Sequence, residues 1–432
     1  MPRPKKVKDE SESFSMEDLS KIETETPAEI RKKKLRFNSA VQNKEFNLFA
    51  DLEARAKNSD TFKSKTEIEN SYIPVPWLTL SYIIGRPGIP KGNIIEIMGL
   101  ETVGKTSFVC ALLGCFMSNN IPCLYLNSEP KAVLSDWRKR LFNTNPEMSE
   151  KIDNIYVNHV YNIVHTYDDA DIMLREWIKE RRETVPKDIP LVVAIDSYTK
   201  LLNPEEAEVS FWDDKDKKGS KDTAMKGVAD VSKKPGVTAK WLHQWLRSIA
   251  VLLEQQNVTL IMVAGKAMDQ NANQFLSKEA QDRYNKTRPG GTAMNQSASL
   301  QLNLGYKGAI KNGTTIVGKM IEIYVQKNSY GPEKRSIVYN LYDGRAENFA
   351  GKDIPGKYIA PAIDMDEALC SLLVEHGLFG LTVSMRKYSS EELNLFRVRP
   401  DAIVRAINED PDRVLKVANK LSIYGYETEE DA

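Results

Sequence analysis

The sequence predicts an α/β fold: a mainly parallel, twisted sheet covered on both faces, with an N-terminal helix before it and a small helical C-terminal domain after it. Three observations carry this. Between Ile94 and Ala264, short apolar runs of β character alternate with helical patterns, the order of a parallel sheet with crossover helices. After Ser299 the strands alternate apolar and polar residues, which adds an antiparallel extension. From Pro355 onward the patterns are helical.

A chain of 432 residues exceeds one ordinary domain, and 41% apolar residues can build a sizeable core. No apolar run approaches the roughly 20 residues of a membrane span, so no membrane partner is expected. The charged N-terminus has no apolar stretch behind it, so a cytoplasmic protein without a signal peptide is expected. Cys110, Cys115, Cys123 and Cys370 lack metal-ligand spacing. The first three flank or sit within apolar runs, as reduced core cysteines do. His159, His165, His243 and His376 are scattered and read as structural. Net charge is zero, so any nucleic-acid site must be a local patch.

Residues 1–40 are polar and charged, with Pro2, Pro4 and Pro27, and read as a disordered tail. Its basic clusters, Lys5, Lys6 and Lys8 and then 31–34 with Arg36, suit a solvated tail or transient phosphate contact. Within 41–72, the stretch 44–57 puts Phe46, Leu48, Phe49, Leu52 and Ala56 towards one helical side. That stripe must dock on its own core or on a neighbouring subunit. Residues 73–90 are a turn-rich approach to the first core strand.

Ile94, Ile95, Ile97 and Met98 form that strand. Gly99 and Gly104 bracket a tight turn, and Lys105 and Thr106 open a helix with an apolar run at 108–117. This is the phosphate-loop pattern G-x-x-x-x-G-K-[ST] between a strand and a helix. Its glycines let backbone N–H groups converge on a triphosphate, and the helix N-terminus adds partial positive charge. Lys105 is expected to reach the β- and γ-phosphates, and the Thr106 hydroxyl to ligate Mg²⁺.

The next strand, 122–126, ends at Asn127-Ser128-Glu129. Short β runs at 155–159 and 190–195 flank a helix at about 168–182 carrying Ile172, Leu174, Trp177 and Ile178. The apolar strand 191–196 ends in Asp196, which matches the second nucleotide motif, whose carboxylate helps hold Mg²⁺. Residues 203–236 form a charged loop of a length that is usually functional or disordered. The helix at about 237–256 has Leu242, Trp245, Leu246, Ile249, Leu252 and Leu253 as its apolar set, with Lys240 and Arg247 two turns apart on another face. After the strand 258–264, a second loop at 266–291 interleaves Phe275 and Tyr284 with Lys278, Arg283, Lys286 and Arg288, and ends at Gly290-Gly291. It suits phosphate contact with base stacking or wedging, or is an ordinary solvated loop. Strands follow at 299–304, 319–325 and 336–341, then helical patterns at 365–375, 400–408 and around 411–421. Glu427, Glu429, Glu430 and Asp431 close the chain as a solubilising end or a competitor for DNA at the basic loops.

This order of features resembles the RecA family of homologous recombinases, of the bacterial RecA and phage UvsX type, from about Ile73 to Phe349 and more loosely beyond. Gly92-Asn-Ile-Ile-Glu-Ile-Met-Gly-Leu-Glu-Thr-Val-Gly-Lys-Thr is similar to that family's G-x-[IV]-[VI]-E-I-x-G-x-E-[ST]-x-G-K-T, and Glu101 inside the loop is a detail generic phosphate loops lack. The resemblance implies a RecA-type P-loop ATPase core over 73–350, an N-terminal helix and oligomerisation segment at 41–72, and a small helical C-terminal domain at 351–432. It implies ATP and Mg²⁺ as ligands. The nucleotide set is then Gly99, Glu101, Thr102, Val103, Gly104, Lys105, Thr106 and Ser107, with Trp137 near the family's adenine-stacking tyrosine. Asn127-Ser128-Glu129 resembles D-[AS]-E, which implies that Glu129 activates the attacking water. Ile195-Asp196-Ser197 resembles V-D-S.

The two long loops fall where the family places its DNA-binding loops. Residues 236–240, continuing to Arg247, are similar to a segment that sets basic residues against the DNA backbone. Gly290-Gly291 resembles the Gly-Gly that closes the second loop. The implied DNA contacts are Lys240, Arg247, Phe275, Lys278, Arg283, Lys286, Arg288, Gly290 and Gly291. Val325-Gln-Lys-Asn-Ser-Tyr-Gly-Pro332 resembles V-K-N-K…P, whose lysines reach the ATP of the neighbouring subunit. Lys327 matches the first lysine and Ser329 replaces the second, which implies weaker cross-subunit stimulation. Lys266 sits near where bacterial RecA has a glutamine that couples ATP to the second loop. The implied function is a recombinase that forms helical filaments on single-stranded DNA, pairs them with double-stranded DNA and exchanges strands, with DNA-stimulated ATP hydrolysis. A hexameric RecA-fold helicase or motor shares the nucleotide site, and a scaffold that uses ATP only to polymerise is a further rival. The C-terminal domain and the Gly-Gly loop favour the filament, and Glu129 with Asp196 disfavours the scaffold.

Overall fold

The computed structural model of the chain describes residues 72–75, 77–129, 160–203, 237–265, 267–268, 286–287, 292–342 and 362–423. The tail 1–40, the helix expected at 44–57, Trp137, Lys266, the loop 204–236, most of 266–291 and the acidic end lie outside the described residues.

Side-chain alternation sets the layers. β3 (Ile94–Gly99) is buried along its whole length, as a parallel strand covered on both faces must be. Ile95 and Ile97 pack on one face with Phe108, Leu112 and Phe116 of α2 (Lys105–Ser118). Ile94 and Met98 pack on the other with Leu174 and Trp177 of α3 (Tyr167–Arg182) and Leu246 and Ile249 of α4 (Val237–Gln255). The period of two along the strand thus feeds two separate apolar layers.

The central sheet contains β3, β4 (Cys123–Asn127), β5 (Val160–Ile163), β6 (Leu191–Asp196), β7 (Val258–Gly265), β10 (Leu300–Asn312), β11 (Thr315–Asn328), β12 (Ser336–Tyr342) and β13 (Ala362–Asp364). Their order is β13-β12-β11-β10-β3-β7-β6-β4-β5. From β10 to β5 every pairing is parallel, and from β10 to β13 every pairing is antiparallel. The fold is therefore the mixed α/β class expected, mostly parallel, with its antiparallel extension beside β3. In such sheets ligands bind outside the carboxyl ends of the strands, and β3, β4 and β6 all end on that edge.

Several elements differ from expectation. The β run expected at 155–159 is observed at Val160–Ile163, where it pairs with β4. The approach at 73–90 contains a helix, α1 (Leu78–Ile84), between β1 (Tyr72–Pro74) and β2 (Gly88–Pro90). β1 and β2 pair with each other. β10 and β11 extend into a long hairpin that turns at Gly313, whose φ is 60°. In the C-terminal region α6 (Asp366–Glu375), α7 (Pro400–Asn408) and α8 (Pro411–Lys420) occupy the three helical patterns. Between α6 and α7 lies an antiparallel meander, β14 (Thr382–Ser384), β15 (Lys387–Ser390) and β16 (Leu395–Val398). Strands of three or four residues, separated by left-handed residues such as Met385, Arg386 and Asn394, are too short to leave a periodic signal. Leu369, Leu373, Tyr388, Ile403 and Val417 close a separate apolar cluster there, with Leu78 and Tyr82 of α1 against it. Among the described residues no helix is long and apolar enough to cross a membrane.

Candidate nucleotide-binding site

β3 delivers Gly99 to the turn, and α2 begins at Lys105 directly after Gly104. Gly104 has φ 101°, a conformation costly for any other residue. A Cβ there would also lie 2.5 Å from Leu341 Cδ2. Glu101 and Thr102 are exposed at the tip, while Val103 and Ser107 are buried beneath it. Lys105 Nζ donates to the carbonyls of Gly99 at 3.1 Å and Leu100 at 2.7 Å. Burial lowers its pKa, opposed by the carboxylates of Asp196, Glu129 and Glu101, while Lys200 adds to the lowering. The ammonium thus feels the charge of the acids that the sequence singled out.

Asp196 ends β6 opposite the loop. The Thr106 hydroxyl donates to Asp196 Oδ2 at 2.7 Å, and the Tyr125 hydroxyl donates to the same oxygen at 2.8 Å. Burial raises the Asp196 pKa, and the two hydroxyl donors pull against it; Glu129 raises it and Lys105 lowers it. Hydroxyl and carboxylate oxygens side by side are hard donors of the type Mg²⁺ takes, with phosphate and water completing the shell. The donor set therefore fits Mg²⁺ held between Thr106 and Asp196.

Glu129 follows β4 by two residues, and Asn127 fixes its backbone. Asn127 Oδ1 accepts from the Glu129 N–H at 3.0 Å, and Asn127 Nδ2 donates to the Glu129 carbonyl at 2.7 Å. Ser128 ties β4 to β6: its hydroxyl donates to the Ser197 carbonyl at 2.6 Å and accepts from the Ser197 N–H at 2.8 Å. Lys200 lies 4.0 Å from Glu101 with both side chains more than half exposed, a weak pairing.

The remaining candidates sit further out. Lys240 and Arg247 are exposed on α4. Lys286 belongs to β9 (Lys286–Thr287), which pairs with β8 (Ala267–Met268). Phe275, Lys278, Arg283, Arg288, Gly290, Gly291 and Trp137 lie outside the described residues. Lys327 Nζ donates to the carbonyls of Asn295 and Ala298, both at 2.6 Å, at α5 (Ala293–Ser297) of its own chain. The Ser329 N–H donates to the Ser299 carbonyl at 2.8 Å.

Sequence reasoning missed Tyr125, whose only hint is a phenol between two leucines of a buried strand. It also missed the contacts of Glu96. Glu96 is fully buried, with Tyr198 donating to Oε1 at 2.9 Å and Gln301 to Oε2 at 3.0 Å. This joins β3 to β10 and to the turn at Tyr198–Lys200 that follows β6.

No protein-family model matches the sequence. The chain is 22% identical over 352 residues to the protein RecA of Syntrophus aciditrophicus, covering 79% of this chain and 84% of that protein. It is 26% identical over 275 residues to the protein RecA of Acinetobacter baumannii, covering 64% of this chain and 66% of that protein. Against the protein RecA of a Caulobacter species it is 24% identical over 292 residues, 68% of each chain. The central, mostly parallel sheet with its covering helices has the layout of a RecA-type core, and in sequence the chain is distantly similar to bacterial RecA proteins.

Proposed function

We propose that this chain is an ATP-dependent DNA recombinase of the cytoplasm. It forms helical filaments on single-stranded DNA, pairs them with homologous duplex and exchanges strands, hydrolysing ATP in a DNA-stimulated way. The observation that carries the reading is the meeting of Lys105, Thr106, Asp196 and Glu129 at one edge of the sheet.

The chain's own residues account for the hydrolytic part. Backbone N–H groups of the loop and the first turn of α2 face the phosphates. Lys105 leaves the Gly99 and Leu100 carbonyls to pair with the β- and γ-phosphates, where its charge opposes the charge that develops on transfer. Thr106 and Asp196 would hold Mg²⁺, which when bound neutralises phosphate charge. Glu129, its backbone braced by Asn127, orients the attacking water and takes its proton. The exposed Lys240 and Arg247 give α4 a phosphate-binding face, and the loops at 203–236 and 266–291 supply the further contacts, with Phe275 separating bases. Lys327 reaches the nucleotide of a neighbouring subunit when a second copy competes for it with the α5 carbonyls.

The test is the ATPase rate with and without single-stranded DNA, for the parent and Glu129→Gln. The expected result is strong stimulation by DNA, reduced on the order of 10²-fold in the variant with DNA binding retained. Rates indifferent to DNA would overturn the recombinase reading. Negative-stain images on single-stranded DNA should show filaments; closed rings would instead indicate a motor.

A further inference from the structure

The phosphate loop rests on residues outside its motif. Thr102 is β-branched, yet its φ of 61° lies in the left-handed region, which such side chains rarely adopt without strain. Its carbonyl is held from a distant strand: Lys319 Nζ, on β11, donates to Thr102 O at 2.9 Å. Lys319 is paired with Leu341 across β11 and β12, and Leu341 Cδ2 fills the space against Gly104. One rung of the antiparallel extension therefore touches the loop twice, through a cation at Thr102 and a methyl at Gly104. These are the two positions in the loop with positive φ.

We propose that Lys319 is a positioning residue for nucleotide binding: by holding the Thr102 carbonyl it keeps the loop in the left-handed turn that aims the following N–H groups at the polyphosphate. The inference rests on the nucleotide-site reading above and assigns part of the affinity to a strand that carries none of the motif. Lys319 touches the loop and Lys105 touches the phosphates, so their losses have different signatures. Losing Lys319 releases the loop, which weakens di- and triphosphate together. It leaves the chemical step intact once nucleotide is bound.

The test uses the full chain with Mg²⁺ and fluorescent ATP and ADP analogues. Lys319→Met is expected to raise both dissociation constants on the order of tenfold, the size of one charge-assisted hydrogen bond. KM for ATP should rise in step, with kcat changed by less than about twofold. Lys319→Arg should retain most of the affinity. Glycine takes positive φ without strain, so Thr102→Gly placed on Lys319→Met should recover most of the loss. Unchanged affinity in Lys319→Met would overturn the proposal. So would a loss confined to ATP, or no recovery with Thr102→Gly, since either means that the ammonium meets the nucleotide itself. Lys105→Ala separates the two readings. If the parent binds neither analogue, or Lys105→Ala binds as well as the parent, the nucleotide site is misassigned and this inference falls with it. Thermal melts of each variant identify any that fail to fold.

Discussion

Asp196 is where stability and function pull apart. Its folded pKa is raised, first by burial, so the folded state binds its proton more tightly than the unfolded chain. The favourable contribution of the protonated acid is complete below the ordinary Asp pKa and is lost as pH rises through the raised value. At neutral pH the bare carboxylate therefore destabilises the nucleotide-free fold. Asp196→Asn is expected to melt at a higher temperature than the parent at pH 7 without nucleotide, with the gap narrowing towards pH 4. It should also lose Mg²⁺-dependent nucleotide affinity. Melting curves across that pH range check the first part, and nucleotide titration with and without Mg²⁺ the second. Tyr339 makes a contrasting residue-scale case. Its hydroxyl is fully buried without a hydrogen-bond partner among the described residues, in the layer beneath α2 and next to Phe108, and burial pushes its pKa far above the usual phenol value. Tyr339→Phe is expected to stabilise the chain by roughly 1 kcal/mol in denaturant titration, since it removes an unpaired polar group and little volume.

At the scale of elements, local chemistry explains why α3, α7 and α8 start where they do. α3 begins with a capping box: the Thr166 hydroxyl accepts from the Asp169 N–H at 3.0 Å, and Asp169 Oδ2 accepts from the Thr166 N–H at 3.1 Å. Asp168 and Asp169 in its first turn and Lys179, Arg181 and Arg182 in its last match the helix dipole. Thr166→Ala is expected to cost about 1 kcal/mol of stability, read by chemical denaturation, with nucleotide binding unchanged. α7 and α8 each open with proline in the first turn, where no N–H is missed. These signals are local, so the helical patterns at 400–408 and 411–421 were legible. The meander β14–β16 was not, because its strands depend on cross-strand partners and on packing against Ile403 and Val417.

At the scale of the whole molecule, net charge is zero, so the DNA affinity that the proposed function requires must come from localised cations. Binding to single-stranded DNA should fall steeply with salt, as several Lys and Arg side chains displace counterions. Removing Lys240 or Arg247 by alanine substitution is expected to reduce the slope of log K against log salt by about 0.7 each and to weaken all sequences alike. Fluorescence anisotropy at several salt concentrations measures both, and slopes equal to that of the parent would remove α4 from the DNA face.

The sequence by itself determined the parts of this protein that are written locally. The run from Ile94 to Thr106 names a strand, a turn and a helix start, and its fixed spacing matches the phosphate-loop pattern. Leu191 to Asp196 shows a buried strand ending in an acid. Tertiary structure alone decided which strand lies beside which, and with that the neighbours of the loop. Tyr125 reaches Asp196 because β4 pairs with β6. Gln301 reaches Glu96 because β10 pairs with β3. Lys319 reaches Thr102 across 217 residues of sequence. Periodicity reports which face of an element is apolar, but not which element will cover it. Strand order is settled by the packing of all the layers at once, so contacts that cross strands are absent from any local pattern.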